Sequence, residues 1–260
     1  MTQFDAFARY YDADYGAIDA DVPFYRELAQ RCGGRVLEVM CGSGRLLELL
    51  AQDGHRLAGV DISAAMLARA RERLAAAGLR DRVELLEADI RERAPDGPFA
   101  LAIVAINSFM HLASIADQLA ALERIHTALR PGGLLAIDLY NPDARQLAEQ
   151  SGQVALDKVF VLDDGTQVQK FVVQQADPAA QINHVTFLYD EIDAGGQVRR
   201  NTLPFTMRWL YRYELEHLLA RAGFAQEALY GSYELDEYHA ASELMLTVAR
   251  KVENVETFER

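Results

Sequence analysis

From residue 35 to 140, short apolar runs alternate with stretches whose apolar residues recur at helical spacing, the pattern of a parallel sheet wound with helices. The runs are Arg35 to Val39, Arg56 to Val60, Val83 to Leu86, Phe99 to Ile106 and Leu134 to Tyr140. Between them, Met66, Leu67, Ala70, Leu74 and Ala77 fall on one helical face, with Ser63 placed as an N-cap and Gly78 where a C′ glycine belongs. A second helix is predicted after Ser114, with Ile115, Leu119, Leu122, Ile125 or His126, and Leu129 at helical spacing and Pro131-Gly132-Gly133 as its stop.

After about residue 152 the pattern changes to Val154–Leu162, Gln167–Ala176, Gln181–Ile192 and Gln197–Tyr211, strands divided by Asp164-Gly165, Asp177-Pro178 and Gly195-Gly196. In the last strand Leu203, Phe205, Met207, Trp209 and Tyr211 share one face, predicted to be buried, while Thr206, Arg208 and Arg212 share a polar one. Residues 213–222 return to helix, and Phe224–Tyr230 and Leu244–Ala249 read as two strands that complete the first sheet. The expected organisation is an α/β core over 1–151 and 212–260, interrupted by an antiparallel β insertion over 152–211.

Composition narrows the function classes. Half of the 260 residues are hydrophobic and a quarter are charged, the balance of a globular chain. The 26 basic against 39 acidic residues leave a net charge of −13, which repels phosphate backbones and argues against a nucleic-acid partner. The longest apolar run, Phe99 to Ile106, is far short of a membrane helix, and the N-terminal residues lack a basic and then apolar leader. Two cysteines, Cys32 and Cys41, build no disulfide framework, and no histidine pair has metal-ligand spacing, so a cytoplasmic home and no metal are expected.

The chemistry concentrates in Val36-Leu37-Glu38-Val39-Met40-Cys41-Gly42-Ser43-Gly44-Arg45, a strand that turns through Gly-x-Gly into a helix. A dinucleotide fingerprint needs a third glycine where this chain has Leu47, and Glu38 would repel a pyrophosphate while welcoming an ammonium or sulfonium. Asp61, 19 residues after Gly42, ends the second strand, where a carboxylate can accept from both ribose hydroxyls. Asp89, with the backbone N–H of Ile90, follows the third strand and offers an acceptor and a donor to a base edge.

Glu38 to Arg45, Gly59-Val60-Asp61-Ile62-Ser63, Ala88-Asp89-Ile90 and Leu129-Arg130-Pro131-Gly132-Gly133 resemble the successive motifs of class I S-adenosylmethionine-dependent methyltransferases. The resemblance covers residues 35–140, and Phe7 through Tyr15 resembles the segment that small-molecule members fold over the cofactor. It implies a Rossmann-like doubly wound seven-stranded sheet whose last strand is antiparallel, S-adenosyl-L-methionine as cofactor and S-adenosyl-L-homocysteine as product. Gly42 and Gly44 would then approach the methionine portion, Glu38 its ammonium, and Asp61 the ribose. Ile62 and Met66 would pad the adenine, Asp89 and Ile90 read its edge, and the Asn107 carbonyl meet the amino group, with Tyr11 and Tyr15 shielding the site. Met66 on a helical apolar face also reads as plain core.

His111 follows the fourth strand, where a base facing the methyl would have to be, although it could equally cap a helix. Arg208 and Arg212 could clasp an anion but read first as solvated charges, Asp138 as an anchor for the N-terminal segment, and Tyr230, Tyr233, Tyr238 and His239 as sheet cover. The function expected is in-line methyl transfer to a nitrogen or oxygen of a small molecule, with the insertion supplying the acceptor pocket or a dimer contact. The rivals are a nicotinamide-dependent oxidoreductase on a similar sheet and a non-catalytic nucleoside-binding protein. An exposed strand edge in the insertion would admit a homodimer.

Overall fold

The computed structural model describes residues 2–252; Met1 and residues 253–260, the tail of the segment expected to close the core, lie outside the described residues. A 3₁₀ turn over Gln3–Phe7 leads into α1 (Ala8–Tyr15) and α2 (Val22–Cys32). Then follow β1 (Val36–Val39), α3 (Arg45–Gln52), β2 (Leu57–Asp61), α4 (Ala64–Ala76), β3 (Val83–Glu87), β4 (Phe99–Val104), α5 (Ile115–Ala128), β5 (Leu129–Tyr140) and α6 (Ala144–Gln150). The insertion is β6 (Val154–Val161), β7 (Gln167–Asp177), β8 (Ile182–Ile192) and β9 (Val198–Arg208), after which α7 (Arg212–Arg221), β10 (Phe224–Tyr230) and β11 (Leu244–Lys251) return to the core.

Seven strands form one sheet in the order β10-β11-β5-β4-β1-β2-β3, in which β11 alone runs antiparallel, to both β5 and β10. The apolar runs of β1, β2 and β4 exist because both faces of this sheet are covered. Val36, Leu101 and Ile103 pack with α2, α3 and α4 on one side, while Leu37, Val39, Ala102 and Val104 pack with α5 and α7 on the other. The helix signals hold in detail: the Ser63 hydroxyl accepts from Met66 N at 3.2 Å, the Ser114 hydroxyl from Asp117 N at 3.0 Å, and Gly78 adopts φ +70° just beyond α4.

β5 begins at Leu129, not Leu134, because Arg130-Pro131-Gly132-Gly133 forms the irregular first part of the strand, where its register against β4 shifts between Phe99 and Leu101. β6 to β9 make a separate four-stranded antiparallel meander. Its last strand stops at Arg208, so the expected strand face ends early: Trp209 turns into the core and Tyr211, 45 % exposed, precedes α7. The polar face expected there is not free either. Arg208 is buried against Glu214 at 2.7 Å, and Arg212 lies over the Tyr213 ring at 5.0 Å.

Helix α1 lies between the two sheets and is fastened to both. Tyr10 stacks on Tyr189 of β8 at 4.0 Å with the planes 5° apart, its hydroxyl donates to Glu191, and Arg9 pairs with Glu191 and Asp164. On its other side Asp12 accepts from Ser43 Oγ, Arg69 and Arg73, and in the preceding turn Asp5 accepts from Ser63 Oγ at 2.6 Å. The early aspartates Asp5 and Asp12, which read in the sequence only as charge, thus hold the N-terminal segment against the β1 turn and α4.

Candidate active site

The carboxyl ends of β1, β2 and β4 open onto a cavity of ≈ 1170 Å³ whose far wall is the inner face of the four-stranded sheet. Three of its lining residues, Met40, Ile106 and Asn107, hold left-handed backbone with φ of 57°, 51° and 58°. A β-branched residue there is a genuine outlier, and each such residue costs on the order of 1–3 kcal/mol that the surrounding packing must offset. Strain gathered at the ends of adjacent strands β1 and β4 marks this edge as the working part of the sheet.

Gly42, at φ +52°, presents its backbone to the cavity opposite the Tyr11 ring, which would lie 3.6 Å from a Cβ added there. Its N–H donates to Asp61 Oδ2 at 2.9 Å, while Asp61 Oδ1 accepts from Ser63 N at 2.8 Å. The β1 turn and the β2 end are therefore locked together with Asp61 on the cavity wall, where burial pushes its carboxyl up from the usual range. Ile62, a large apolar side chain left 38 % exposed, and buried Met66 line the same end beside Ile90. Tyr11 and Tyr15 stack at 5.0 Å and line the cavity from α1.

Of four further expected site residues, Gly44 and Glu38 do not line the cavity, while Asn107 and Asp89 line it with hydrogen bonds already made within the chain. Gly44 is not at the cavity: its φ of +76° starts α3, and a Cβ there would lie 3.1 Å from Ala70, so it serves helix packing. Glu38 shares the face of β1 that carries Val36, under α3, so it lies behind the loop and does not line the cavity. Its Oε2 has no partner, and burial lifts its carboxyl to about 8 against the pull of Arg45, which is itself held by Asp21. Asn107 lines the cavity, but its carbonyl already accepts from Met110 N at 2.9 Å and its side-chain oxygen from Tyr140 N. Asp89 also lines the cavity, with both carboxylate oxygens engaged by Arg91, which in turn reaches Asp117 at 2.7 Å.

His111 stands between the two ends, its ring 5.1 Å from Phe4 and 5.5 Å from Phe205. Its Nδ1 is buried without a hydrogen-bond partner, and desolvation lowers it to about 4, so the imidazole is neutral at pH 7. Asp138 anchors the surroundings as expected, accepting from Tyr25 Oη at 2.7 Å, Tyr233 Oη at 2.9 Å and Asn107 N at 3.1 Å. Tyr238 donates to Asn141, so this late aromatic cluster braces the strand ends. The sequence did not single out Lys170, Gln174 or Asn183, which also line the cavity. Among the described residues no cluster of three or more His, Cys, Asp or Glu could hold a metal ion, and no helix is long and apolar enough to cross a membrane.

The residues present fit an adenosyl cofactor. The glycine turn, the acidic strand end and the uncovered Ile62 side chain provide close backbone approach, a hydroxyl acceptor and an apolar platform in adjacent positions. With this strand order and a crevice at the carboxyl edge, the molecule has the fold of class I S-adenosylmethionine-dependent methyltransferases.

Residues 36–133 match the sequence family described as a methyltransferase domain. The chain is 41 % identical over 113 residues to trans-aconitate 2-methyltransferase of Paracidovorax citrulli, a match that spans 43 % of this chain and 40 % of that protein. Its fold is similar to that of the CcbJ methyltransferase from Streptomyces caelestis, with a TM-score of 0.80 and 23 % identity over 97 % of this chain and 98 % of that one. It is also similar to S-adenosylmethionine-bound CalS10, an amino pentose methyltransferase from Micromonospora echinaspora, with a TM-score of 0.68 and 22 % identity over 91 % and 94 % of the two chains. Residues 36–133 thus match a methyltransferase domain, and the fold as a whole is that of the class I S-adenosylmethionine-dependent methyltransferases.

Proposed function

We propose that this protein transfers a methyl group from S-adenosylmethionine to a nitrogen or oxygen of a small molecule held against the four-stranded sheet. One observation carries the reading: a single cavity joins the Gly42 and Asp61 edge to the insertion, with the free nitrogen of His111 between them. When bound, the cofactor supplies an electrophilic methyl carbon whose bond to sulfur breaks as the acceptor attacks, leaving S-adenosylhomocysteine. Gly42 gives close approach to the amino-acid portion, Asp61 accepts from the ribose, and Ile62, Met66 and Ile90 flank the base. Phe4, Tyr11 and Tyr15 exclude water from the transfer path, so that holding nucleophile and methyl carbon ~3–3.5 Å apart is most of the catalytic task.

His111 Nδ1 receives the acceptor's proton. As a weak base it suits a nucleophile that loses its proton only as the new bond forms, when the acceptor is most acidic. Against a nicotinamide enzyme stands Leu47, fully buried and packed against Gly59 where the fingerprint would need open space. Against a non-catalytic binder stands the open space beside His111. Calorimetric titration with S-adenosylmethionine, S-adenosylhomocysteine and NADH tests the reading. Micromolar binding of the two adenosyl compounds alone, weakened about 100-fold in Asp61→Ala, is expected; preference for NADH would overturn it.

The edge strand β6 leaves Val154, Leu156, Val159 and Val161 exposed, which supports pairing with β6 of a second copy into a continuous sheet. The free thiols Cys32 and Cys41 support a reducing, cytoplasmic setting, and the acidic charge supports the absence of a nucleic-acid partner.

A further inference from the structure

The acceptor wall changes character along its length. In its middle, Val172 faces Phe187 across the β7–β8 register and Val185 faces Phe205 across β8–β9, giving an apolar floor beneath His111. At one end the floor turns polar without turning charged. Asn183, 4 % exposed, lies directly opposite Met207, two positions from Phe205, whose ring lies 5.5 Å from that of His111. Its amide orientation is set by a relay: Asn183 Nδ2 donates to Gln174 Oε1 at 2.6 Å, and Gln174 Nε2 donates to Gln150 Oε1 at 3.4 Å. The Asn183 nitrogen is thereby engaged and its Oδ1 is left buried without a partner. Among the described residues the cavity lining therefore holds three unpartnered polar atoms, Asn183 Oδ1 and His111 Nδ1 by the acceptor wall and the Thr2 hydroxyl on the N-terminal turn. An unpaired buried acceptor is costly until something donates to it.

The charges agree. Among the described residues both the lysine and the arginine cation that line the cavity are spoken for: Arg91 lies between Asp89 and Asp117, and Lys170 between Asp14 and Asp157 at 2.7 and 2.9 Å. Asp61, Asp143 and Glu243 line it with no ion-pair partner among the described residues. An anion entering this space would meet lone pairs and uncompensated carboxylates, and would have to break a buried ion triad to find a cation.

Building on the methyltransferase reading above, we propose that the acceptor is a non-anionic molecule with an apolar face and two hydrogen-bond-donating groups, one held by Asn183 Oδ1 while the nucleophilic one faces His111 Nδ1. Asn183 is then the residue that selects donors over acceptors. A polycarboxylate of the kind named for one relative does not meet these requirements.

The test is calorimetry on the protein saturated with S-adenosylhomocysteine, using 4-aminocyclohexanol and 4-hydroxycyclohexanecarboxylate, matched rings that differ in carrying a second donor or a carboxylate. The aminoalcohol is expected to bind at least about tenfold tighter, and Asn183→Leu to bring the two within about twofold while S-adenosylhomocysteine affinity stays unchanged. Asn183→Ser, which keeps a short acceptor, is expected to retain part of the preference. Equal or tighter binding of the carboxylate, no detectable binding of the aminoalcohol, or an unchanged ratio in Asn183→Leu would overturn the proposal. Failure of S-adenosylhomocysteine to bind would instead remove the methyltransferase reading beneath it, so the two failures are distinguishable.

Discussion

At the carboxyl edge of the seven-stranded sheet the cavity wall is largely backbone: the Gly42 turn, the left-handed Met40, Ile106 and Asn107, and an Asp61 pinned by two main-chain N–H groups. Across the cavity the four-stranded sheet has no strained residue on its inner face and presents only side chains, at alternate positions of β7, β8 and β9. A wall made of backbone is costly to alter and suits a ligand that does not change. A wall made of strand side chains can be rewritten one residue at a time without disturbing the ladder, which suits the part of the site that selects among acceptors. Buried ionisable groups are also handled differently in the two regions: beneath the glycine loop the Glu38 carboxyl, raised to about 8, keeps its proton at pH 7, whereas Lys170 is charged within a compensated ion cluster.

That contrast can be broken at several points. The largest effect is expected from Glu38→Gln. Burial raises Glu38 to about 8, so the folded protein keeps this proton up to that pH while the unfolded chain loses it near its ordinary value of 4.5. The stability it confers is full below 4.5 and is lost as pH rises to 8. Denaturant unfolding should therefore show the variant more stable than wild type by about 4 kcal/mol at pH 9, with the difference shrinking towards pH 5. A variant that is destabilised at pH 9 would show that the carboxyl is compensated after all.

On the opposite wall Asp14→Ala should act in the reverse sense, because it removes one anion from the nearly inaccessible Lys170 ammonium and the hydroxyl partner of Tyr189. A loss of about 3 kcal/mol in unfolding free energy is expected, with S-adenosylhomocysteine binding retained at saturating ligand. Between the walls, His111→Gln should lower kcat about 100-fold with cofactor affinity within twofold, once an acceptor is in hand. In the wild type the acid limb of kcat/KM should fall near pH 4, where His111 gains its proton, and a limb at its ordinary 6.5 would contradict the buried geometry. The smallest effect is expected from Leu156→Lys on the exposed edge of β6: stability within about 0.5 kcal/mol, but a shift from dimer to monomer in sedimentation.

What could be read beforehand divides along the same line. The β1 turn, the Ser63 and Ser114 caps, and Asp61 at its strand end are local features whose meaning lies within a few residues, and they were legible. β5 was misplaced at its start because Pro131-Gly132-Gly133 serves equally as a helix stop and as the irregular opening of a strand. Glu38 and Gly44 lie within the right motif but on the wrong side of it, since strand alternation turns one under α3 and the other packs on Ala70. Asn183, Gln174 and Lys170 were not legible at all. Strands with polar residues on both phases give no hint of which phase is inward, and the relay from Asn183 to Gln150 joins three separate elements.

The two fastenings of α1 differ in kind, and this sets how the molecule must breathe. Towards the cofactor the helix is held by carboxylates on arginines, Asp12 with Arg69 and Arg73, each partly open to solvent. Towards the insertion it is held by the close Tyr10–Tyr189 stack and by the buried Asp14 with Lys170. Dissolved salt screens the Asp12 pairs, and on the insertion side the exposed pairs of Arg9 with Glu191 and Asp164, but leaves the tyrosine stack and the buried Lys170 pair largely untouched. Raising ionic strength should accordingly loosen α1 first from α4, while the stack and the buried ammonium keep it riding on the four-stranded sheet, so that the surrounding solution tunes how readily this side of the crevice opens.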